Sequence, residues 1–179
     1  SINNHLIAQE FIDGYDIVLI SFVQNRVLKP ISFVEEINVF HKDKEAKGAG
    51  VMIPARINDE IKNKIIDISE KIIKNLKINT SPFMISFRVS GSTPYPMELH
   101  LDFGGDLILD VLLPNSLNLN IIEAGIKLMA GENFIISNNL LERPTSVIYY
   151  PGIKLNSEKD YYIIKKDTLE EVLISVNEK

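Results

Sequence analysis

Three residues with metal-binding side chains stand two positions apart in one stretch of the chain: Glu98, His100 and Asp102. In a β-strand, residues spaced by two point to the same face, so these three side chains should align. The apolar residues that alternate with them, which are Met97, Leu99, Leu101 and Phe103, would then enter the core. Two carboxylates and an imidazole, followed by glycines, suit magnesium or manganese bridged to phosphates. A solvated polar face on an edge strand explains the same pattern, and the spacing leaves both interpretations open.

Other kinds of site have less support in the sequence. The three histidines are His5, His41 and His100, so no histidine follows His100 to complete a non-haem iron site. A nucleophile elbow is absent, since Ser90-Gly91-Ser92 resembles a hairpin turn instead. The glycines between Lys47 and Val51 match neither phosphate-loop fingerprint, and we expect a mobile surface loop there. The chain has no cysteine, which excludes thiolate zinc sites and iron–sulfur clusters.

Charge and hydropathy narrow the range of partners. The 179 residues carry a formal net charge of −5, and the basic stretch Lys42 to Lys47 is interrupted by acids. Nucleic acid is therefore not an expected partner. The apolar runs are a handful of residues long, far below the roughly 20 that span a bilayer. The first residues show no signal peptide, so we expect no membrane partner and a cytoplasmic protein.

Two segments have the periodicity of amphipathic helices, which would pack on the strand that carries Glu98, His100 and Asp102. The first runs from Asn58, a plausible N-cap, to Lys77, and its apolar stripe would be Ile61, Ile65, Ile68, Ile72 and Leu76. The second should run from Ser116 or Asn118 to Ala130 and end at Gly131. Its expected buried residues are Leu119, Ile122, Ile126 and Met129. A short last helix near Thr168 to Leu173 is a weaker expectation.

Most of the remaining chain has the composition of β-strands. The predicted strands are Asp16 to Val23, parts of Val27 to Phe40, Phe83 to Val89, Tyr95 to Phe103, Ser146 to Tyr150 and Tyr161 to Lys165. A hairpin should turn at Asp13-Gly14, and another should close between Val147 and Tyr162, at Pro151-Gly152 or at Asn156 to Lys159. The prediction is one α+β domain over residues 1–179, a mostly antiparallel sheet packed by two long helices.

Two of these motifs, in this order, resemble the ATP-grasp superfamily and in particular its carbamoyl-phosphate-synthase-like carboxylate ligases. The hinge motif of those proteins is matched by Gln9, Glu10, Phe11, Ile12, Gly14 and Asp16. A proline-started helical segment follows from Pro54, and Glu98 to Asp102 stands in place of the E-x-N-x-R motif of the superfamily. The helix and Gly131-Glu132 come next. The resemblance covers residues 7–135, and residues 136–179 would add closing strands and the short helix.

The resemblance implies an ATP site and a ligase reaction. In such proteins the hinge, here Gln9, Glu10, Phe11 and Ile12, reads the adenine edge, and the acid at Asp16 holds the ribose hydroxyls. The carboxylate at Glu98 holds Mg²⁺, or Mn²⁺, against the ATP phosphates. The implied chemistry is activation of a small carboxylate substrate as an acyl phosphate, followed by attack of an amine. Neither Arg88 nor Lys127 is expected to have a specific role.

Three departures from the superfamily pattern leave two readings open. Ser86 stands at the first metal-binding position, His100 replaces an asparagine and Asp102 replaces an arginine. In the first, Glu98, His100 and Asp102 form a rebuilt metal site. In the second, the lobe is a non-catalytic binding or oligomerisation module, which could form a homodimer. The lobe that bears the phosphate-binding lysine and glycine-rich flap does not fit in residues 1–8. We therefore expect a C-terminal ATP-grasp lobe, which needs an N-terminal lobe in cis or in trans.

Overall fold

The computed structural model describes residues 6, 8–40, 46–102, 104–105, 107–132, 143–148, 161–167 and 170–176. The strands are β1 (Tyr15–Gln24), β2 (Val27–Phe40), β3 (Ala46–Ile53), β4 (Ser81–Ser90), β5 (Thr93–His100), β6 (Thr145–Ile148), β7 (Tyr161–Asp167) and β8 (Glu170–Val176). The helices are α1 (Asp59–Leu76), α2 (Leu113–Leu117) and α3 (Ile121–Met129), and a π-helix (Ile108–Leu112) precedes α2. Within the described residues, none of the helices is both long and apolar enough for a membrane crossing.

The eight strands form one sheet in the order β5-β4-β1-β2-β3-β6-β8-β7. Every strand pair is antiparallel, which confirms the predicted antiparallel α+β architecture. β1 is an interior strand and pairs with β2 and β4. The turn at Gly91, where φ is +59°, joins β4 to β5 as the sequence indicates.

Four local predictions for this sheet are wrong. β3 includes the segment from Lys47 to Val51 that was expected to be a surface loop, because pairing with β2 and β6 overrides its weak strand propensity. The expected helix near Thr168 to Leu173 is replaced by β8, whose Val172-Leu173-Ile174 favours a strand. The hairpin from Val147 to Tyr162 does not form, since β8 lies between β6 and β7. Its two candidate turns lie outside the described residues. Residues 8–12 pair with no strand, so the hairpin at Asp13-Gly14 is also absent.

Alternation along the strands divides the core into two halves, one on each face of the sheet. On one face, α1 packs against odd-numbered side chains of β1 and β4, which include Ile17, Leu19, Val23, Phe83, Ile85, Phe87 and Val89. On the other face, the π-helix, α2 and α3 pack against Val18, Ile20, Phe22, Val34 and Met84. Because helices cover apolar side chains on both faces, the polar side chains of the sheet must lie where those helices do not reach.

Helix α1 begins and ends close to its predicted limits. Oδ1 of the N-cap residue Asn58 accepts the backbone N–H of Ile61 at 3.0 Å, and Asp59 and Glu60 occupy the first turn. The buried stripe differs from the prediction: it is Ile61, Ile65, Ser69 and Ile73, with Ile68 and Ile72 only partly buried. Leu76 is 61% exposed. Ser69 satisfies its hydroxyl by donating to the carbonyl of Ile65 at 2.8 Å, so a polar residue fits in this stripe.

The second helix is the largest error of the sequence interpretation, so the sheet is not packed by two long helices. Asn118 has a left-handed backbone (φ 52°), which ends α2, and α3 restarts at Ile121 with only nine residues. The break shifts the helical phase, so that Ile121, Ala124, Gly125 and Leu128 are buried. The predicted core residues Ile122, Ile126 and Met129 are 40%, 65% and 60% exposed, and Leu119 is partly buried. Gly131 follows the helix with φ +88°, as predicted.

An ion pair between a buried carboxylate and an exposed arginine fixes the connection between β3 and α1. Glu35 of β2 has a side chain only 8% exposed, and both of its carboxylate oxygens accept hydrogen bonds from the guanidinium of Arg56. The backbone N–H of Arg56 donates to the same carboxylate at 2.9 Å. These hydrogen bonds, chiefly the one from the Arg56 side chain, lower the pKa of Glu35, although burial acts in the opposite direction.

Removing the Arg56 side chain should destabilise the fold in a pH-dependent way. The pKa of Glu35 is lower in the folded state than the ~4.3 expected when unfolded, so the pair contributes stability above that pH and loses it as pH falls through the folded pKa. We expect Arg56→Met to cost about 1–2 kcal/mol at pH 7, the low end for a charged hydrogen bond because Arg56 is largely exposed. Urea denaturation from pH 7 to pH 3 should show the difference from wild type shrinking below about pH 4.

Lys127→Met is the matched control for this loss of a cation. Lys127 pairs with Glu123 one turn away on α3, and both side chains are more than half exposed. Exposed pairs of this kind contribute little to stability, so the control should unfold like wild type at every pH. An Arg56→Met variant that also unfolds like wild type would contradict the structural role of the Glu35 pair.

Candidate functional site

Three of the predicted site residues, Asp16, Glu98 and His100, lie on the sheet face that α3 partly covers. Asp16 pairs with Arg88, and Val18, which points to that face, pairs with Ser86. Ser86 in turn pairs with Glu98, and Met84 pairs with His100. Because directly paired residues project to the same face, Asp16, Arg88, Glu98 and His100 share this face with Val18 and Met84. The structure therefore groups residues from three strands as one polar surface.

Glu98 and His100 are in contact, as their spacing predicts. Oε1 of Glu98 lies 3.2 Å from Nε2 of His100, and the Glu98 side chain is 67% exposed. The carboxylate of Glu98 is thus accessible, and the imidazole beside it restricts its orientation. Ser86 stands directly across the strand pair from Glu98.

Asp102 does not join the other two. β5 ends at His100, so the alternation that would bring Asp102 to the same face stops one step early. Oδ1 of Asp102 instead accepts the backbone N–H of Gly104 at 2.7 Å. Across the part of the chain that the structure describes, no three acidic or histidine side chains are grouped to hold a metal ion. The three-residue site Glu98/His100/Asp102 is therefore not assembled in this structure.

A β-bulge accounts for the exposure of one apolar residue of this stretch, Met97, and Leu101 follows the last residue of β5. The pairing of β4 with β5 shifts between Ser86 and Phe87, and Met97 is the extra residue. Met97 and Leu101 are each 52% exposed, contrary to the prediction that they enter the core. Leu99 does pack on the α1 side of the sheet, and Phe103 lies outside the described residues.

Asp16, the expected ribose ligand, is held by two neighbouring strands. Its Oδ1 accepts from Nε of Arg88 at 2.6 Å, and its Oδ2 accepts from Nη2 of Arg88 at 2.9 Å. Oδ2 also accepts from the amide nitrogen of Asn38 at 2.8 Å. The Asp16 side chain is only 14% exposed, so both oxygens are already engaged and largely shielded from a ligand. Asp16 fits a structural role better than direct ribose binding.

The four expected adenine-reading residues lie just before β1. Gln9, Glu10 and Phe11 are exposed, Phe11 to 75%, and Ile12 is partly buried. The carbonyl of Ile12 accepts a long hydrogen bond of 3.4 Å from Nη1 of Arg88. Arg88 thus reaches both the Asp16 carboxylate and the main chain of this segment. The sequence interpretation assigned no specific role to Arg88.

A cavity of about 440 Å³ opens elsewhere, at the junction of the π-helix, α2 and α3. Its lining residues are Leu109, Asp110, Pro114, Asn118, Leu119, Asn120 and Ile122. None of them is a predicted nucleotide or metal ligand. The predicted site is therefore a surface on the sheet and is separate from this cavity.

Comparison with solved structures identifies the fold. Phosphoribosylglycinamide synthetase from Anaerococcus prevotii superposes with a TM-score of 0.72 at 15% identity, over 95% of this chain and 50% of its own. L-amino acid ligase from Bacillus licheniformis superposes with a TM-score of 0.74 at 13% identity, over 94% of this chain and 48% of its own. An ATP-grasp superfamily protein from Archaeoglobus fulgidus superposes with a TM-score of 0.61 at 19% identity, over 95% of this chain and 48% of its own.

These similarities confirm the predicted likeness to the ATP-grasp superfamily at the level of fold. The chain spans about half the length of the solved structures that it matches. No protein-family model and no curated protein sequence matches the chain.

Proposed function

We propose that this chain is the ATP- and Mg²⁺-binding lobe of an ATP-dependent carboxylate–amine ligase, and that it acts together with a second, N-terminal lobe. The observation that carries the proposal is an exposed carboxylate, Glu98, on a polar sheet surface of an ATP-grasp fold. Residues 8–14, which we call the hinge segment, lead into β1, whose Asp16 lies on the same surface. In this proposal the backbone of the hinge segment binds the adenine edge.

The donor set suits a hard cation that is shared with phosphates. Mg²⁺ is commonly bound by one or two carboxylates, with phosphate oxygens and water completing its coordination. Glu98 supplies one exposed carboxylate, and the Glu98–His100 contact limits its orientation. A single carboxylate therefore fits the metal without Asp102. When bound, the ion would neutralise phosphate charge during phosphoryl transfer.

The proposed reaction has two steps. A carboxylate oxygen of the substrate attacks the γ-phosphorus of ATP, forming an acyl phosphate and releasing ADP. An amine then attacks the acyl carbon, phosphate leaves, and the amine loses a proton. In this scheme the chain orients the nucleotide through its hinge segment and Glu98. Because Arg88 is engaged by Asp16, cationic contacts to the phosphates would come from the second lobe.

A non-catalytic binding or oligomerisation module on the same scaffold is the second candidate. Two observations favour it: Asp16 has both oxygens occupied by Arg88 and Asn38, and Asp102 is tied to Gly104. In a lobe that has lost catalysis, carboxylates at the former ligand positions would bind other residues of the chain in this way. It would associate with another copy of itself through the sheet surface and would not respond to nucleotide.

Thermal unfolding of the complete natural protein, combined with light scattering, separates the two candidates. A ligase should melt at higher temperature with ATP and Mg²⁺ at about 100 times Kd, by roughly 5 °C, because binding to the folded state alone stabilises it. ATP without Mg²⁺ should give a smaller shift. A dimer whose melting temperature does not respond to nucleotide would contradict the ligase proposal and support the module.

A further inference from the structure

We infer that Arg88 is a positioning residue whose hydrogen bonds to Asp16 and to the Ile12 carbonyl hold the hinge segment on the sheet. We call this set of hydrogen bonds the latch, and we infer that it sets the affinity for the nucleotide. The part of the inference that concerns nucleotide rests on the proposed function. The latch itself concerns only contacts within this chain. It connects the main chain before β1 to the C-terminal part of β4.

The latch has three hydrogen bonds from one guanidinium group. Nε and Nη2 of Arg88 donate to the two oxygens of Asp16, and Nη1 donates to the carbonyl of Ile12 at 3.4 Å. A guanidinium is planar, so binding Asp16 in this bidentate manner also fixes the direction of Nη1. The charged pair thereby determines where the Ile12 carbonyl can lie. A lysine could not reproduce all three contacts.

The latch is anchored by strands on both sides of β1. Asp16 lies on β1, Arg88 on β4, and Asn38 on β2 donates to Asp16 at 2.8 Å. The side chains of Arg88 and Asp16 are 21% and 14% exposed, so solvent screens their attraction only in part. A group that three paired strands hold from different directions is a rigid reference point for the segment attached to it.

A close backbone approach at Gly14 brings the hinge segment to the same part of β4. A Cβ atom placed on Gly14 would lie 2.1 Å from the carbonyl oxygen of Val89, the residue after Arg88. Gly14, the last residue of the hinge segment, therefore packs directly on the main chain of β4. Residues 8–13 pair with no strand among the described residues, so these contacts help to hold the segment to the sheet in place of strand pairing.

The test compares Arg88→Met and Arg88→Lys with Lys127→Met in the complete natural protein. The first measurement is the ¹⁵N NMR order parameter of the backbone amides of Phe11, Ile12 and Asp13, without nucleotide. Wild type should be near the ~0.85 of rigid backbone, and Arg88→Met should fall below ~0.6. The second measurement is the dissociation constant for ATP with Mg²⁺. It should rise at least about tenfold in Arg88→Met, and less in Arg88→Lys.

The two readouts separate a latch from a merely structural role. A defect in folding alone lowers the folded fraction but leaves the affinity of the folded molecules unchanged. Unchanged order parameters in folded Arg88→Met would overturn the latch. If Arg88→Met does not fold, Asp16→Asn and Arg88→Lys decide by the same measurements. Wild-type protein that binds no nucleotide would overturn the proposed function, while the order parameters would still decide the latch.

Discussion

Gly14→Ala is expected to destabilise the protein by about 2–3 kcal/mol, in the upper range for inserting a methyl group where packing is already tight. The new Cβ would stand 2.1 Å from the Val89 oxygen and 2.8 Å from its carbonyl carbon. These are backbone atoms of a paired strand, so no side-chain rotation relieves the clash. Either the hinge segment moves away from β4 or the pairing of Tyr15 with Val89 is disturbed. Urea denaturation measures the loss as a lower midpoint.

Gly48→Ala is the matched control for this substitution. Gly48 lies on β3, and a Cβ there would meet no atom within 4 Å among the described residues. Its unfolding free energy should stay within about 0.5 kcal/mol of wild type, as for an ordinary surface change. Equal stability of the Gly14 and Gly48 variants would show that the hinge segment does not pack against β4 as the structure places it.

Glu98→Gln is expected to weaken Mg²⁺-dependent ATP binding by about 10- to 100-fold, at the level seen when support for a metal site is lost. The substitution keeps the size of the side chain and removes the negative charge that the cation needs. Glu98 is 67% exposed, so folding stability should scarcely change. A difference in affinity without a difference in stability would therefore identify a ligand role.

Glu70→Gln provides the control for the loss of one carboxylate. Glu70 is an exposed residue on α1, which packs on the opposite face of the sheet from Glu98. The two variants have the same net charge, so a general electrostatic effect would weaken both equally. Only a local role at the polar surface would make Glu98→Gln the weaker binder.

The sequence predicts the elements whose signals are local. α1 has an N-cap, acids in its first turn and a long apolar period, and these features act within a few residues of one another. The strand pattern of β1 and β4 is similarly clear, because both are interior strands with buried side chains on each face. Their odd and even positions are buried on opposite faces, and the predicted antiparallel α+β fold follows from such strands.

The errors arise where a distant contact or a single backbone angle decides the outcome. The left-handed conformation of Asn118 breaks the helix and changes which face of α3 is buried. A periodicity that assumes one continuous helix therefore assigns the wrong side chains to the core. Met97 is a bulge residue whose extra position depends on pairing with β4, which periodicity along β5 alone does not reveal. β3 likewise forms because two neighbours pair with it.

The site could be predicted in part for the same reason. Glu98 and His100 are near neighbours on one strand, and their contact follows from alternation. The partners of Asp16 are not local, since Arg88 lies 72 positions and Asn38 22 positions along the chain. The one available signal for Arg88 is its even position on β4, opposite in phase to the buried Phe87. That phase predicts a polar face but does not specify the carboxylate that occupies it.

Isothermal titration of ATP into the complete natural protein, with and without Mg²⁺, tests the central claim most directly when wild type and Glu98→Gln are measured side by side. The account predicts saturable ATP binding to wild type that strengthens with Mg²⁺, and a Mg²⁺ effect that is largely lost in Glu98→Gln. Wild-type protein that binds no ATP in Mg²⁺, or a Glu98→Gln variant with the full Mg²⁺ effect, would contradict a nucleotide and metal site at this sheet surface.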